Sequence, residues 1–260
     1  MFRQSEPDSN MEAEELFKKR AQELARTAYV RGIVTFTDFL DMNEINIIHT
    51  INWKASGVSL KLFGGYEMAE RQIAAFVPEA LSYIWEYPIV CLCIKPDSAR
   101  YAEVLSHRDY LGSVLNLGLN RGKIGDIMID EKSAYIFVHE KIASFLQEQL
   151  IRVRHTSVWC EPIMDMHTIP RPKTTEIRGT VASIRLDSVI ALAFSTSRNS
   201  ILPFIEGGKV FVNGRLITSN GYTLKEQDII SVRGKGKFRF GEFISSTKKG
   251  RCLVTVYRYI

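Results

Sequence analysis

The order of apolar and helical segments between residues 85 and 168 is the feature that most limits how this chain can fold. Four short apolar runs typical of strands occur there, at residues 89–94, 126–129, 134–138 and 156–160. Helical patterns follow the first and third of these runs, at residues 99–119 and 140–150. The resulting order, β-α-β-β-α-β, is the split βαβ arrangement. Because many unrelated proteins share it, it predicts a fold and no function.

The segments on either side of this layer have different patterns. Residues 1–84 predict a small α/β unit with helices at 12–30, 38–51 and 67–76 and a strand at 57–63. Two prolines between residues 169 and 177 predict an extended linker. We therefore predict an α+β protein whose domains are residues 1–84, 85–168 and 178–260, joined by the linker at 169–177.

The C-terminal segment carries the most specific local signals. Residues 186–194 place apolar side chains on one helical face, and Ser197 can cap a second helix that ends near Gly207. Asn213-Gly214 between two apolar runs predicts a tight β-hairpin, because both turn positions require a positive φ. Pro203 lies inside the second helix and is expected to kink it.

The charge of the chain is unevenly distributed. Residues 171–260 contain 16 basic and 6 acidic side chains, whereas residues 1–170 contain 18 basic and 23 acidic ones. A segment of net charge +10 beside one of net charge −5 indicates a polyanionic partner. Charge alone leaves nucleic acid and an anionic membrane surface open. No apolar run reaches the roughly 20 residues of a membrane span, and the polar N-terminus predicts a cytoplasmic protein.

Five ordered motifs of this basic segment resemble the RNA-binding domain named after ribosomal small-subunit protein four. They are Arg185-Leu186-Asp187, Ser197-Arg198, Gly208-Lys209-Val210, Val212-Asn213-Gly214 and Asp228-Ile229-Ile230. The resemblance implies two packed helices and a small sheet that present a basic groove to structured RNA. The middle segment is correspondingly expected to resemble an RNA recognition motif, although the Gly- and Phe-rich stacking motif of that family is absent from its sequence.

Candidate RNA-binding residues follow from these motifs and from the charge. Arg185 and Arg198 begin helices, where backbone N–H groups also attract phosphate oxygens. The full set is Arg185, Ser197, Arg198, Lys209, Asn213, Arg215, Arg233, Lys235 and Lys237, with Arg108, Arg121 and Lys123 as a secondary contact. Solvated surface charge stays an alternative for Arg215, Arg121 and Lys123. Asp187 is expected to start a helix or to pair with an arginine.

Further motifs, in the order of the family, resemble the YlmH family of bacterial RNA-binding proteins. They lie at residues 37–41, 64–71, 107–112, 117–121 and 125–127. This resemblance implies a cytoplasmic, non-enzymatic protein that binds the large ribosomal subunit carrying a stalled peptidyl-tRNA. Ribosome rescue and quality control are the implied roles, and links to cell division are attached to the family. The implied partners are rRNA and tRNA, with no small-molecule substrate.

No complete catalytic pattern is present in the sequence. His107-Arg108-Asp109 resembles a kinase catalytic loop, but Val114 stands where the metal-binding Asn belongs. The four cysteines and five histidines show no metal-ligand spacing, so we expect no metal and no cofactor. The alternative is an RNA-modifying enzyme, of the pseudouridine synthase or methyltransferase class, with an unrecognised catalytic domain in residues 1–168. A strongly perturbed carboxylate or cysteine in a cleft of that region would favour it.

Overall fold

The computed structural model describes residues 7–165, 169–170, 174–247 and 250–259, apart from the side chains of residues 7–11 and 54. It divides into two compact units, Met1–Pro170 and Arg171–Ile260. The predicted α+β class is confirmed. Residues 171–173 of the predicted linker lie outside the described residues, and a strand begins at Thr174, within the predicted linker. The finer division of the chain at residue 84 stays a prediction.

The first unit begins with a helix packed on a three-stranded antiparallel sheet. Its elements are α1 (Pro7–Arg31), β1 (Thr35–Leu40), α2 (Met42–His49), β2 (Val58–Phe63) and β3 (Gln72–Pro78), and the strand order is β1-β3-β2. Ala21, Ala25 and Ala28 lie on one face of α1 and are completely buried or nearly so. These small side chains let the helix approach Phe76 and Trp53 closely.

The helix predicted over residues 67–76 is wrong, because the structure has the strand β3 at Gln72–Pro78. Ile73, Ala74, Ala75 and Phe76 have no measurable exposure, since β3 is the central strand and both of its faces are covered. A continuous apolar run suits such a strand as well as it suits a buried helix. The alanines favour a helix by propensity, and the strand pairing overrides them.

The second part of the first unit is the βαββαβ layer predicted from the sequence, with one additional strand of two residues before its last strand. Its elements are β4 (Ile89–Pro96), α3 (His107–Leu115), β5 (Ile124–Asp130), β6 (Ser133–His139), α4 (Glu140–Gln149), β7 (Arg152–Val153) and β8 (Thr156–Pro162). All neighbours pair antiparallel in the order β5-β6-β4-β8-β7. The expected pairing of β5 with β6 is confirmed by Ile127 opposite Ile136. The helices cover one face of this sheet, where Leu92, Val114 and Leu146 are fully buried.

Polar contacts and an apolar cluster join the two sheets of the first unit. The Asp126 carboxylate accepts hydrogen bonds from the Tyr66 hydroxyl at 2.8 Å, the Glu70 N–H at 2.7 Å and the Arg71 N–H at 3.1 Å. The Arg71 guanidinium donates to the carbonyl oxygens of Ile124 at 2.9 Å and Phe39 at 2.7 Å. Apolar side chains from both sheets pack beside these contacts, among them Phe39, Ile73, Cys91 and Phe137.

The second unit is a six-stranded antiparallel sheet with two helices packed on it. Its elements are β9 (Thr174–Val181), α5 (Leu186–Ala193), α6 (Arg198–Glu206), β10 (Val210–Val212), β11 (Arg215–Leu216), β12 (Ile229–Val232), β13 (Gly236–Ser246) and β14 (Cys252–Tyr259). The strand order is β11-β10-β12-β13-β14-β9. The expected Asn213-Gly214 turn is confirmed, with φ of 49° and 78°. The helix α6 continues past Pro203 to Glu206. No helix within the described ranges has the length and apolarity needed to cross a membrane.

Candidate nucleic-acid interface

The N-termini of α5 and α6 lie side by side at the surface of the second unit. The Ser197 hydroxyl caps α6 by accepting a hydrogen bond from the Ser200 N–H at 3.2 Å. Arg185 is the extended residue that precedes α5, and its side chain forms no cap. The first N–H groups of α5 are already bonded, since that of Leu186 donates to the Tyr222 carbonyl at 2.8 Å and that of Ser188 to the Asp187 carboxylate at 2.7 Å. The arginine side chains at the two helix starts are therefore what suits this end to an anion.

Asp187 forms ion pairs with both arginines through its buried carboxylate and fixes their positions. Its side chain is only 2% exposed, whereas those of Arg185 and Arg198 are 44% and 51% exposed. One carboxylate oxygen accepts hydrogen bonds from Nε of Arg198 at 3.1 Å and from Nη2 of the same residue. The other oxygen lies 3.7 Å from Nε of Arg185 and accepts the Ser188 N–H at 2.7 Å. Asp187 thus occupies few of the guanidinium donors and leaves most of them for solvent or phosphate.

A second basic cluster lies toward the C-terminal end of α6. Nζ of Lys209 and Nζ of Lys235 lie 5.6 Å and 5.1 Å from the centre of the Phe204 ring. The Arg233 N–H donates to the Lys209 carbonyl at 2.9 Å, which keeps the turn between β12 and β13 beside the start of β10. Phe204 lies six residues after Arg198, about 9 Å along a helix axis. The two basic groups therefore stand at opposite ends of one short helix.

Phe204 and Phe211 are parts of this face that the sequence analysis missed. Phe204 supports both lysines, and the guanidinium carbon of Arg233 lies 5.0 Å from the centre of the buried Phe211 ring. Cation–π contacts limit the rotamers of long basic side chains without neutralising them. The sequence signal for Phe204 was an aromatic residue near the end of a helix, shortly before a Gly-Lys pair. An apolar position in a helix does not by itself distinguish a residue that supports surface lysines from a core residue.

Three other predicted RNA-binding residues of this unit, Arg215, Lys237 and Asn213, differ in their exposure and hydrogen bonding. Arg215 is exposed in the short strand β11, whereas Lys237 is partly buried in β13. The Asn213 amide has both ends engaged in the fold: its Nδ2 donates to Asp228 at 2.8 Å, and its oxygen accepts the Ile229 N–H at 2.9 Å. The Asn213 side chain therefore anchors the hairpin to β12.

The three secondary candidates do not form one site. Nη1 of Arg121 donates to the carbonyl oxygens of Ile124 and Gly125, and burial, with Arg71 nearby, lowers the pKa of Arg121 to about 10. Lys123 forms an ion pair with Asp38. Arg108 is exposed on α3, and its side chain has no hydrogen-bond or ion-pair partner among the described residues. Of the three, only Arg108 has its charged group free for a ligand.

A cavity of about 350 Å³ in the first unit bears on the enzymatic alternative. Glu44 lines it, and burial raises the pKa of this carboxyl above its usual value. The carboxylate accepts the Asp41 N–H at 2.8 Å, which completes the capping box of α2. Burial also raises the pKa of the Cys91 and Cys160 thiols to about 12, so both stay protonated at neutral pH. Burial therefore explains the raised pKa of Glu44, whose carboxylate has a structural role as a helix cap, and burial makes the thiols poor nucleophiles.

Replacing Asp187 by Asn should weaken binding of structured RNA about 10-fold, although it makes the face more positive. The amide cannot accept the Ser188 N–H and the Arg198 guanidinium together, so both arginines lose their fixed positions. Ordering a long side chain on binding costs about 0.5–1.5 kcal/mol, and two arginines are involved. Fluorescence anisotropy with labelled tRNA measures the change. Tighter binding by Asp187→Asn would show that the carboxylate acts only as a competing charge.

Comparisons with known proteins match both units of the chain. A family model described as "Putative RNA-binding domain in YlmH" matches residues 84–166, and one described as "S4 domain" matches residues 184–230. Ribosome-associated protein quality control protein P2 of Bacillus subtilis (strain 168) is 32% identical over 251 residues, 94% of this chain and 95% of that protein. Small ribosomal subunit protein uS4 of Pelagibacter ubique (strain HTCC1062) is 46% identical over 54 residues, 20% of this chain and 26% of its own.

A solved structure also resembles this fold. The cell division protein ylmH from Streptococcus pneumoniae superposes with a TM-score of 0.50 at 19% identity. The match covers 65% of this chain and 99% of that one. At this identity the likeness supports the fold alone.

Proposed function

Because this chain belongs to the YlmH family of RNA-binding proteins, we propose that it binds structured RNA on the large ribosomal subunit without catalysing a reaction. The observation that carries the proposal is the pair of arginines that Asp187 holds at the two helix N-termini. This pair lies within the residues that match the S4 domain. Two guanidinium groups fixed about a buried carboxylate suit neighbouring phosphates of one backbone.

The charge and the aromatic supports extend this face to a longer stretch of backbone. Lys209, Arg233 and Lys235 continue the positive surface at the far end of α6, in a segment of net charge +10. Phosphate contacts dominate such binding and make it depend steeply on salt. The RNA-binding residues of the second unit are therefore Arg185, Arg198, Lys209, Arg233 and Lys235, with Arg215 and Lys237 beside them.

We further propose rRNA and tRNA as the RNA partners, ribosome rescue and quality control as the process, and the cytoplasm as its location. The support is the relative of Bacillus subtilis, whose name describes a ribosome-associated quality control protein. The match extends over nearly the whole of both chains, so it includes both units. A factor in this process can act by binding RNA on the subunit, without catalysing a reaction.

We expect the full chain to sediment with purified large ribosomal subunits at about 50 mM salt and to dissociate as salt rises to about 200 mM. A protein that makes six or more phosphate contacts loses on the order of 10³-fold in affinity over this range. Sucrose-gradient fractions probed for the protein give the measurement, and crosslinking followed by RNA sequencing gives the bound site.

Small ribosomal subunits serve as the control, because they present a similar phosphate charge. Equal retention on both subunits would contradict large-subunit binding, and retention on neither would contradict the ribosomal role altogether. The bound RNA is also examined by mass spectrometry. Modified nucleotides in excess of the protein present would contradict a non-enzymatic role.

A further inference from the structure

Three arginines line an open groove of the βαββαβ layer, beside its two helices. The groove has a volume of about 580 Å³ and lies between α3, the end of α4 and β7. Arg108 comes from α3, Arg152 from β7, and Arg154 from the turn between β7 and β8. Arg108 is thus brought to the same groove as Arg152 and Arg154, which lie more than forty residues later in the sequence.

The arginines of this groove are largely without counter-charges. Asp109 is the one acidic residue that lines it, and Arg154 lies 3.7 Å from this carboxylate. The same carboxylate already accepts the N–H of Ser106 at 2.8 Å and its hydroxyl at 2.7 Å. Within the described parts of the chain, the side chains of Arg108 and Arg152 have neither a hydrogen bond nor an ion pair. The groove thus carries net positive charge in a segment, residues 1–170, whose net charge is −5.

The backbone at Arg154 places a basic side chain where a turn favours another residue. Val153 pairs with Thr156, so Arg154 and His155 form the two-residue turn between β7 and β8. Arg154 has φ of 52°, in the left-handed region that glycine and asparagine occupy more easily. Its side chain is 55% exposed, so burial does not account for an arginine at this position.

We propose that this groove binds the sugar–phosphate backbone of RNA as a second contact, separate from the face around Arg185 and Arg198. Arginine suits phosphate because its planar donors contact two oxygens at once. Ser113, Asn116 and Gln149 line the same groove and offer hydrogen bonds to sugar hydroxyls. The groove is open along its length, which suits a continuous strand better than an enclosed small anion.

This inference rests on the proposed function and deepens it, because both contacts would act on the same RNA. Once the first contact has formed, the second contact on the same chain forms in an effectively intramolecular step. Loss of the second contact therefore weakens the overall affinity without abolishing binding. Each lost phosphate contact lowers the slope of log affinity against log salt by about 1.

The test is the full-length triple variant Arg108→Gln, Arg152→Gln and Arg154→Gln. Its matched control is Arg26→Gln, Arg31→Gln and Arg100→Gln, three exposed arginines of the same unit that do not line the groove. Both variants lose three positive charges. The dissociation constant is measured with deacylated tRNA and with purified large ribosomal subunits, between about 50 and 300 mM salt. The groove variant should bind one or both of these probes about 10-fold or more weakly, with a slope lower by about 3. The control should change the slope by less than about 1.

A groove variant that matches its control with both probes would overturn the second contact. If Arg185→Ala with Arg198→Ala still weakens binding in that case, the proposed function stands without the groove. If the unmodified chain binds neither probe, the proposed function itself fails. Loss of subunit binding with unchanged affinity for tRNA and for protein-free rRNA would assign the groove to a ribosomal protein and overturn an RNA ligand.

A measurement on the unmodified chain keeps the proposal testable if the triple variant does not fold. Phenylglyoxal modifies accessible arginines, and mass spectrometry locates them. Bound tRNA or large subunits should protect Arg108, Arg152 and Arg154 at least several-fold, while Arg26 stays reactive. Equal reactivity of all four arginines with and without RNA would overturn the proposal.

Discussion

Replacing Arg185 and Arg198 together by alanine should weaken binding of structured RNA by about 100-fold. A hydrogen bond to a charged group contributes about 1.5–3 kcal/mol, and two such contacts correspond to about two orders of magnitude or more. The slope of log affinity against log salt should fall by about 2, one for each lost phosphate contact. Each single variant should bind the RNA about 10-fold more weakly than the unmodified chain. Titration of labelled tRNA at several salt concentrations, followed by anisotropy, measures both quantities.

The matched control for this pair is Arg178→Ala with Arg251→Ala. Both of these residues are exposed arginines of the second unit, and neither lies at a helix N-terminus. The change in net charge is identical, so a general loss of positive field would affect both double variants equally. Thermal unfolding of each variant checks that the buried Asp187, left without its two arginine partners, has not disrupted the unit. Normal folding with unchanged affinity and slope would place the RNA elsewhere.

The local structure of the second unit could be predicted because its signals are local. Ser197 before α6, Gly207 after it and Asn213-Gly214 in the hairpin each favour one backbone conformation within a few residues. The role of Asp187 could not be predicted to the same degree. Its contact with Arg198 spans eleven residues and depends on how α5 packs against α6. A sequence pattern suggests an arginine partner for this residue, and packing determines which arginine and how deeply the carboxylate is buried.

The outer strands of the second sheet are where the sequence analysis was least complete. The strand β9 includes residues 174–177 of the predicted linker, and it pairs with β14 along its whole length. Most of its side chains are exposed, with partly buried Ile177 and Gly179 and buried Val181 alternating with polar residues. An edge strand with few buried residues carries a weak pattern, and the nearby prolines dominated the prediction.

The motifs near the front of the chain acquire a structural meaning that no sequence pattern indicated. In the sequence, only the family resemblance links residues 64–71 with residues 125–127, and the structure brings them into direct contact through Asp126 and Arg71. Residues 37–41 join them, since Arg71 also donates to the Phe39 carbonyl and Asp38 pairs with Lys123. These contacts join residues that are distant in the sequence and form only in the folded unit. Local periodicity therefore cannot reveal them.

Replacing Asp126 by alanine should lower the free energy of unfolding of the first unit by roughly 3–5 kcal/mol. The substitution leaves the Tyr66 hydroxyl and the N–H groups of Glu70 and Arg71 without this acceptor. A donor that loses its partner in a partly buried site costs about 1–3 kcal/mol, and water can replace only some of the bonds. Hydrogen exchange read by mass spectrometry follows the two units separately. Peptides from residues 12–165 should lose protection at a lower denaturant concentration, while those from residues 174–259 keep theirs.

The control is Asp130→Ala, which removes an exposed carboxylate from the last position of the same strand, β5. A surface substitution of this kind changes stability by no more than about 0.5 kcal/mol. Equal stability of the two variants would mean that the joint around Asp126 contributes little and that apolar packing alone holds the two sheets together. If Asp126→Ala instead destabilises only the first unit, the RNA face around Arg185 should keep its own structure. Any remaining loss of ribosome binding would then measure what the first unit contributes, because the arginines of the second unit are untouched.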